Sequence, residues 1–208
     1  MSPDLHVDEA GVARCPWATS TPDYVAYHDD EWGEPTTDER TLFEKLCLEG
    51  FQSGLSWITI LRKREAFREA FDGFDAAVVA RYRPDDVDRL LTDAAIIRHR
   101  GKIEATVNNA VRMLELWDGG ETLAGLIWSH EPVDHPVPRS LSDVPATTPE
   151  STALSRELKK RGFRFVGPTT AYAGMQAMGI VNDHLVGCVS RRKCSELRAA
   201  MTKPAHSP

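Results

Sequence analysis

Apolar residues recur along this chain at the three- and four-residue spacing of α-helices, and this spacing restricts the fold more than any other feature. One apolar stripe, which Thr36 or Asp38 can cap and Gly50 would end, carries Leu42, Phe43, Leu46 and Cys47. Further helices are predicted over about 54–70, from Pro84 to about 94, and over 103–114, 151–161 and 168–178. Alternation typical of a strand is confined to 163–166. The sequence therefore predicts an all-α fold.

The length and composition suit one compact domain. The chain has 208 residues, of which 41% are hydrophobic and 27% are charged, and such values exclude wholesale disorder. Proline, serine and threonine are concentrated in 130–151, which predicts a long connection. We expect residues 14–190 to form a single domain of two helical lobes. A flexible tail is expected at 1–13, and a basic, then flexible, tail at 191–208.

Cysteine content and hydropathy predict a cytoplasmic protein. No apolar run approaches the roughly 18 residues of a membrane span, and the N-terminus lacks the basic start and apolar centre of a secretory signal. The four cysteines are therefore expected to be reduced, and to bind metal or pack rather than form disulfides. Cys47 lies on an apolar stripe and is predicted to pack in the core, whereas Cys194 lies among basic residues and is predicted to be exposed.

The net charge of −6 is unevenly distributed. Residues 1–50 carry twelve acidic and three basic side chains, so that the rest of the chain has a net charge of +3. Eight lysines and arginines stand against two acidic residues in 156–193. Either solvated helix faces or a basic surface for nucleic acid fits this pattern, so charge alone does not exclude DNA as a partner.

Two widely separated cysteine–histidine pairs form a candidate metal site. Cys15 and His28 are spaced C-x12-H, and His184 and Cys188 are spaced H-x3-C. On a helix, the second pair would share one face and could bind one ion. Two thiolates and two imidazoles suit tetrahedral zinc, and four protein ligands would make the site structural. The alternative is a packed cysteine and a capping histidine at each end of the chain, and the spacing leaves both possibilities open.

Glu49 is the most informative acidic residue because it follows Leu42 and Leu46 on the apolar side of their helix. Burying an unpaired carboxylate is costly, so this position predicts either a carboxylate facing a pocket or a glutamate at a frayed helix end that reaches water. Four aromatic residues in the first 57 positions are candidate pocket walls, namely Trp17, Tyr27, Trp32 and Trp57. Rings around an anion would suit a flat cationic ligand, although core packing is the default for any one of them.

A basic turn at 97–102 lies between two predicted helices. It contains Arg98, Arg100, Gly101 and Lys102. A tight turn of this composition can offer backbone N–H groups and cations to a phosphate, or it can be an ordinary surface turn.

Several long blocks, in one order, carry a family resemblance. They are RCPW at 14–17, YVAYHDDEWG at 24–33, LFEKLCLEGFQSGLSWITIL at 42–61, IIRHRGKI at 96–103, LKKRGFRFVGPTTAY at 158–172 and MQAMGIVNDHLVGC at 175–188. Over about 14–190 the chain resembles the 3-methyladenine DNA glycosylase I family, helical repair enzymes similar to the helix–hairpin–helix glycosylase superfamily.

The resemblance implies the site residues. It implies one structural zinc ion on Cys15, His28, His184 and Cys188, which would join the N- and C-terminal segments. It implies Glu49 as the catalytic and base-binding carboxylate, with Tyr27 and Trp57 stacking or packing around the base. Trp17 and Trp32 are implied as further pocket aromatics.

The resemblance also implies a DNA-binding hairpin over 97–102, formed by Arg98, Arg100, Gly101 and Lys102. The chain departs from the superfamily pattern there, since Gly101 is the one glycine where two are usual. No evident aspartate stands where many superfamily members place a catalytic one. Leu55, in the turn after Glu49, is a candidate wedge into the duplex.

The activity implied by the resemblance is hydrolytic removal of N3-methyladenine from alkylated double-stranded DNA after base flipping. A monomer and a monofunctional reaction are expected. Two other functions stay open at this level: a bifunctional glycosylase/lyase with Lys102 forming a Schiff base, and a non-enzymatic, zinc-stabilised DNA-binding module.

Overall fold

The computed structural model describes residues 4–204, and within this range the fold is almost entirely helical, as predicted. The α-helices are α1 (Pro22–Asp30), α2 (Glu39–Gln52), α3 (Trp57–Leu61), α4 (Arg64–Ala70), α5 (Ala76–Val79), α6 (Pro84–Thr92), α7 (Arg100–Asp118), α8 (Leu123–Trp128), α9 (Pro149–Lys160), α10 (Pro168–Ala177) and α11 (Val189–Ala200). Short 3-10 helices lie at Pro16–Thr19, Asp72–Phe74 and Leu141–Asp143. No helix in the described range is long and apolar enough to cross a bilayer.

Helix α2 forms the centre of the molecule. Asp38 caps it by accepting a hydrogen bond from the Thr41 amide at 2.8 Å, and every residue from Leu42 to Phe51 is buried. It packs against α3, α7, α8 and α10, so apolar residues surround it on nearly all sides. One continuous apolar cluster extends from α2 to α10, and the division into two lobes therefore stays a prediction.

The prediction that α2 ends at Gly50 was wrong by two residues. A Cβ atom at position 50 would lie 3.2 Å from the Phe165 Cβ, so this glycine permits close packing inside the helix rather than ending it. The single helix predicted over 54–70 is two helices, broken at Arg62 and Lys63. The Lys63 ammonium donates to the carbonyls of Ala94 and Ala95, at 3.2 and 2.8 Å.

The strand predicted over 163–166 was also wrong. Phe165 has a left-handed backbone with a φ of 56°, which an extended strand cannot contain. The Asn109 side chain makes the hydrogen bonds that a neighbouring strand would otherwise make. It accepts from the N–H of Arg164 at 2.8 Å and donates to the C=O of Arg164 at 3.0 Å. The long connection predicted over 130–151 is present, although α9 already begins at Pro149.

The described part of the predicted N-terminal tail is folded. Strands β1 (His6–Val7) and β2 (Ala13–Arg14) pair in antiparallel register, with His6 opposite Arg14. Asp8 stabilises their turn by accepting from the amides of Ala10 and Val12, at 3.0 and 2.9 Å. At the other end, α11 extends to Ala200, and residues 1–3 and 205–208 lie outside the described range.

Candidate functional site

A cavity of about 310 Å³ opens beside the C-terminal half of α2. Its walls come from α1, α2, the start of α3, α10 and the long connection, and they are formed by Trp17, Tyr24, Tyr27, Trp32, Glu49, Gln52, Trp57, Leu141, Val144, Ala173, Gln176 and Asp183. Flat rings, a few polar groups and a carboxylate thus surround one concave space, which is the composition of a small-ligand site.

Glu49 lies in this cavity as a buried, incompletely bonded acid. Its side chain is 5% exposed, and its Oε2 atom has no hydrogen-bond partner among the described residues. Burial raises the pKa of Glu49 to about 8, against a smaller opposing effect of the Lys45 charge. Lys45 itself is paired with Glu31 at 2.6 Å and gives Glu49 no direct hydrogen bond. The protein therefore leaves this carboxyl group able to form a hydrogen bond with a ligand. Such a ligand, rather than the protein, would favour the ionised form of Glu49.

The four aromatic residues expected around Glu49 all line the cavity. The rings of Tyr27 and Trp57 lie 5.4 Å apart between centroids, tilted by 41°. Trp17 and Trp32 meet edge to face at 5.0 Å. The Trp57 Nε1 atom, like Glu49, has no hydrogen-bond partner. Two aromatic pairs thus provide stacking and edge surfaces around one carboxyl group.

Sequence reasoning missed Tyr24, which also lines the cavity. Its hydroxyl accepts a hydrogen bond from the Ile58 amide at 3.0 Å and so fixes the first turn of α3, which carries Trp57. The signal was available, because Tyr24 precedes Tyr27 by three residues and shares its helix face. Asp183 and Gln176 were missed as well, and their side chains hydrogen-bond each other at 2.7 Å.

A second buried cluster brings together Cys15, His28, His184 and Cys188, and it is the group that could hold a metal ion. The four candidate ligand atoms all lie within 4.8 Å of one another. His28 Nε2 and His184 Nδ1 are 3.1 Å apart, and the Cys188 Sγ lies 3.4 and 3.6 Å from them. The Cys15 Sγ is 3.9 Å from His184 Nδ1. These four atoms can surround a single cation.

Hydrogen bonds on the far side of each imidazole orient it toward this cluster. His28 Nδ1 faces Asp29 Oδ1 at 2.7 Å, and His184 Nε2 faces the Trp32 carbonyl at 2.9 Å. Each outer nitrogen therefore donates its proton to an oxygen, and each inner nitrogen keeps a lone pair. Two lone pairs facing each other at 3.1 Å repel, and a shared cation removes this repulsion.

The Cys188 thiol is prepared to act as a thiolate. A hydrogen bond from Cys15 lowers the pKa of Cys188, against the desolvation of the group. The prediction that His184 and Cys188 share a helix face was wrong, because both precede α11, and Cys188 is its N-cap residue. The turn at 185–187 brings them together instead.

Of the remaining cysteines, Cys47 is a core residue as predicted, whereas Cys194 is not exposed. Cys194 is 2% exposed, and its Sγ lies 3.8 Å from the Trp32 carbonyl. Cys194 lies on the inner face of α11, so its basic neighbours in sequence wrongly indicated an exposed position.

The prediction of a turn over 97–102 was wrong in its second half, because 100–102 form the first turn of α7 and only 97–99 belong to the connection after α6. Arg98 and Arg100 are exposed. His99 caps α7 by accepting from the Lys102 amide at 3.3 Å. Arg100 pairs with Asp88 at 2.6 Å, while Arg98 makes no ion pair within residues 4–204. Residues 93–99 thus connect α6 to α7, and Gly101 lies in the first turn of α7.

Lys102 does not belong to this exposed surface, contrary to the sequence-based prediction. It is 7% exposed, and its Nζ atom donates to the carbonyls of Phe51 and Ser53, at 2.7 and 2.6 Å. Lys102 therefore ties the turn after α2 to the start of α7. That turn carries Leu55, which is 41% exposed and borders a smaller cavity that shares Glu49 with the first.

Comparison with known proteins identifies the family of this chain. The family model for methyladenine glycosylase matches residues 17–192. The chain is 52% identical over 180 residues to DNA-3-methyladenine glycosylase 1 of Escherichia coli (strain K12), which covers 85% of this chain and 96% of that protein. It is 51% identical over 180 residues to DNA-3-methyladenine glycosylase of Haemophilus influenzae, which covers 85% and 97%.

Solved structures give the same result. A crystal structure of 3-methyladenine DNA glycosylase I superposes with a TM-score of 0.82 at 50% identity, covering 85% of this chain and 98% of that one. The Staphylococcus aureus 3-methyladenine DNA glycosylase I, described for its recognition of 3-methyladenine, has a TM-score of 0.81 at 39% identity, covering 86% and 96%. The helical fold is thus that of a DNA glycosylase. The chain is an enzyme of the methyladenine glycosylase family.

Proposed function

We propose that this enzyme removes N3-methyladenine from alkylated double-stranded DNA in base-excision repair. The observation that carries the proposal is the buried Glu49 carboxyl, whose Oε2 lacks a hydrogen-bond partner within residues 4–204 and whose side chain lines a cavity with aromatic walls. A flat, electron-poor purine satisfies both features, since the rings stack on its faces and the carboxyl bonds its edge. Relatives at 52% and 51% identity are named for this substrate.

The charge of the lesion provides the selectivity. N3-methyladenine is cationic while it is bonded to deoxyribose, and neutral adenine is not. Because burial raises the pKa of Glu49 to about 8, the carboxyl is mostly neutral at pH 7 before the base enters. A cationic base lowers that pKa again and ionises Glu49, so that an ion pair forms with the lesion and not with adenine.

The reaction is proposed to be a monofunctional hydrolysis. The flipped base departs as a neutral molecule when the bond between its ring nitrogen and C1′ breaks, and it needs no proton from an acid. Water then bonds to the C1′ cation and loses one proton to the solvent, which leaves a neutral sugar hydroxyl. Glu49 and the rings hold the base in the departing geometry, which accounts for activity without a dedicated catalytic aspartate.

Lys102 is proposed to have no covalent role, because two backbone carbonyls hold its ammonium group. Borohydride treatment in the presence of DNA with an abasic site tests this. We expect no trapped adduct, and a covalent protein–DNA product lost in Lys102→Met would instead support a lyase step.

We propose that the Cys15–His28–His184–Cys188 cluster holds one zinc ion. Tetrahedral zinc bonds of about 2.0–2.3 Å place ligand atoms roughly 3.3–3.8 Å apart. Four of the six separations in the cluster are 3.1–3.9 Å, and all are within 4.8 Å. With all four positions taken by protein, the ion would supply structural cross-linking only. It would join the segment before α1 to the turn before α11.

The DNA surface is proposed to lie around the mouth of the cavity. Leu55 would fill the space left by the flipped base, and Arg98, Arg100 and Gly101 at the start of α7 would contact phosphates. The exposed cations Lys159, Lys160 and Arg164 extend this basic surface. Binding is therefore expected to weaken as salt concentration rises.

Release of free 3-methyladenine from methylated duplex DNA tests the proposed function directly. Wild-type protein is expected to release it, and Glu49→Gln is expected to bind DNA but lose most of this release. Glu44→Gln is the matched control, because Glu44 is a buried carboxylate on the same helix that pairs with Arg68 outside the cavity. No release by folded wild-type protein would overturn the proposal and would favour a DNA-binding module without enzymatic activity.

A further inference from the structure

A hydrogen-bonded carboxylate, Asp183, lies in one wall of the cavity, and the reaction described above does not use it. Asp183 is 3% exposed, and its Oδ2 accepts from the Tyr172 hydroxyl and from Gln176 Nε2, at 2.7 Å each. His135 Nε2 lies 2.6 Å from its Oδ1. The three partners come from α10 and from the long connection, so Asp183 joins two walls of the cavity.

This network fixes the orientation of the Gln176 side-chain amide. A carboxylate accepts hydrogen bonds and donates none, so the amide must present its NH₂ group to Asp183. The Gln176 Oε1 atom is therefore turned away from Asp183. Rotating the amide by half a turn would place its oxygen against the carboxylate and lose the 2.7 Å hydrogen bond.

Gln176 also lines the cavity, so an Oε1 atom turned away from Asp183 can meet a ligand there. Helix α10 presents Ala173 and Gln176, one turn apart, to the cavity on the side facing α2 and Glu49. Among residues 4–204, none donates a hydrogen bond to the Gln176 Oε1. The wall thus offers a base one acceptor whose direction the protein has already set.

We propose that the Gln176 amide oxygen accepts a hydrogen bond from the exocyclic amino group of the flipped base and so selects N3-methyladenine over N3-methylguanine. The proposal rests on the proposed function and names a specificity determinant for it. Gln176 would be a binding residue, and Asp183 would be a positioning residue that acts through it.

The chemistry of the two purines supports this selection. Adenine carries an amino donor at position 6, where guanine carries a carbonyl oxygen. An oxygen facing the Gln176 oxygen could form no hydrogen bond, and both groups would lose their water on entering the cavity. Because Asp183 holds the NH₂ group, the amide cannot turn over to accept guanine.

Methylated DNA that contains both lesions provides the test, because the two free bases released in one reaction are separated and quantified together. In Gln176→Leu, which keeps the side-chain size, release of 3-methyladenine per unit time is expected to fall about three- to tenfold, the effect of one hydrogen bond. The ratio of 3-methyladenine to 3-methylguanine release is expected to fall by at least the same factor. A merely structural role would lower both releases together, and an unchanged ratio in folded protein overturns the proposal.

Two further variants separate binding from positioning. Asp183→Asn frees the Gln176 amide to turn, so the ratio is expected to fall as in Gln176→Leu; a wild-type ratio would overturn the role of Asp183. Tyr172→Phe is the control, since it removes another donor to Asp183 and keeps the Gln176 contact, and its ratio is expected to equal that of wild type. If wild-type protein releases no 3-methyladenine, the proposed function fails and this inference with it; if it does but Gln176→Leu keeps the ratio, only this inference fails.

Discussion

Replacing Glu49 by glutamine should stabilise the ligand-free protein, and the gain should grow with pH. The pKa of this carboxyl is about 8 in the folded chain, because burial penalises its charge, against an ordinary value of 4.5. A raised folded-state pKa contributes stability below 4.5 that is lost as pH rises through 8. Between pH 4.5 and about 8 the folded wild-type protein keeps a proton that the unfolded chain releases. Above pH 8 it must bury a charge. Glutamine has no proton to lose and the same shape.

The magnitude follows from the two pKa values. One unit of difference corresponds to about 1.4 kcal/mol, so the wild-type protein loses about 4 kcal/mol of unfolding free energy by pH 8 and less than about 1 kcal/mol by pH 5. The advantage of Glu49→Gln should therefore increase by roughly 3–4 kcal/mol between these two pH values. In a domain of this size this corresponds to an extra rise of about 10 °C in melting temperature.

Thermal or urea unfolding of both proteins at several pH values between 5 and 9 measures this difference. Glu44→Gln serves as the control, since Glu44 pairs with Arg68 and should show no such gain at high pH. A difference between Glu49→Gln and wild type that stays constant from pH 5 to pH 9 would mean that Glu49 titrates alike in the folded and unfolded chain. The reasoning that ties its burial to recognition of a cationic base would then be refuted.

Other consequences are checked more simply. Tyr27→Ala and Trp57→Ala should each weaken binding of free 3-methyladenine by about 1–3 kcal/mol in calorimetry, the usual worth of a base–aromatic stack, and unchanged affinity would remove that ring from recognition. Leu55→Ala should slow excision from duplex DNA but leave free-base affinity intact, because Leu55 borders the mouth of the site; equal losses in both assays would contradict a wedge role. Gly179→Ala should cost at least about 2 kcal/mol, since Gly179 has a φ of +71° and its Cβ would lie 2.5 Å from the Pro35 nitrogen. Gly120→Ala, with a φ of +76° and no atom within 4 Å of the added carbon, is its control and should cost clearly less in a denaturation experiment.

The sequence predicted what depends on local patterns and long motifs. Helical periodicity identified α2, α6, α7, α9 and α10. The family resemblance predicted that aromatic side chains surround Glu49, and in the structure they line the same cavity as Glu49. The errors lie where tertiary contacts override local signals. Gly50 continues a helix because Phe165 packs against it, and 163–166 avoids strand pairing because Asn109 bonds its backbone. Sequence reasoning missed Asp183 for a similar reason, since its three hydrogen-bond partners come from segments that only the fold brings together.

The candidate metal cluster packs against the cavity wall, which argues that metal removal should loosen the pocket without changing its chemistry. The Trp32 ring lines the cavity and lies 4.7 Å from the His184 ring, and its carbonyl accepts from His184 Nε2. The Trp17 ring, also in the cavity wall, lies 5.4 Å from His28. Both tryptophans therefore depend on imidazoles that a bound ion would hold in place.

Metal analysis of purified protein, followed by chelation, tests this dependence. We expect close to one zinc ion per chain, and its removal should alter the near-ultraviolet circular dichroism of the tryptophans and weaken free-base binding. The residual activity should keep the pH profile of the intact enzyme, because a four-ligand ion activates no water. Cys194→Ser is the control, since Cys194 is buried nearby but lies outside the four-residue cluster, and it should retain the metal. Folded, fully active protein with a metal content near zero would show that the cluster closes the fold without an ion.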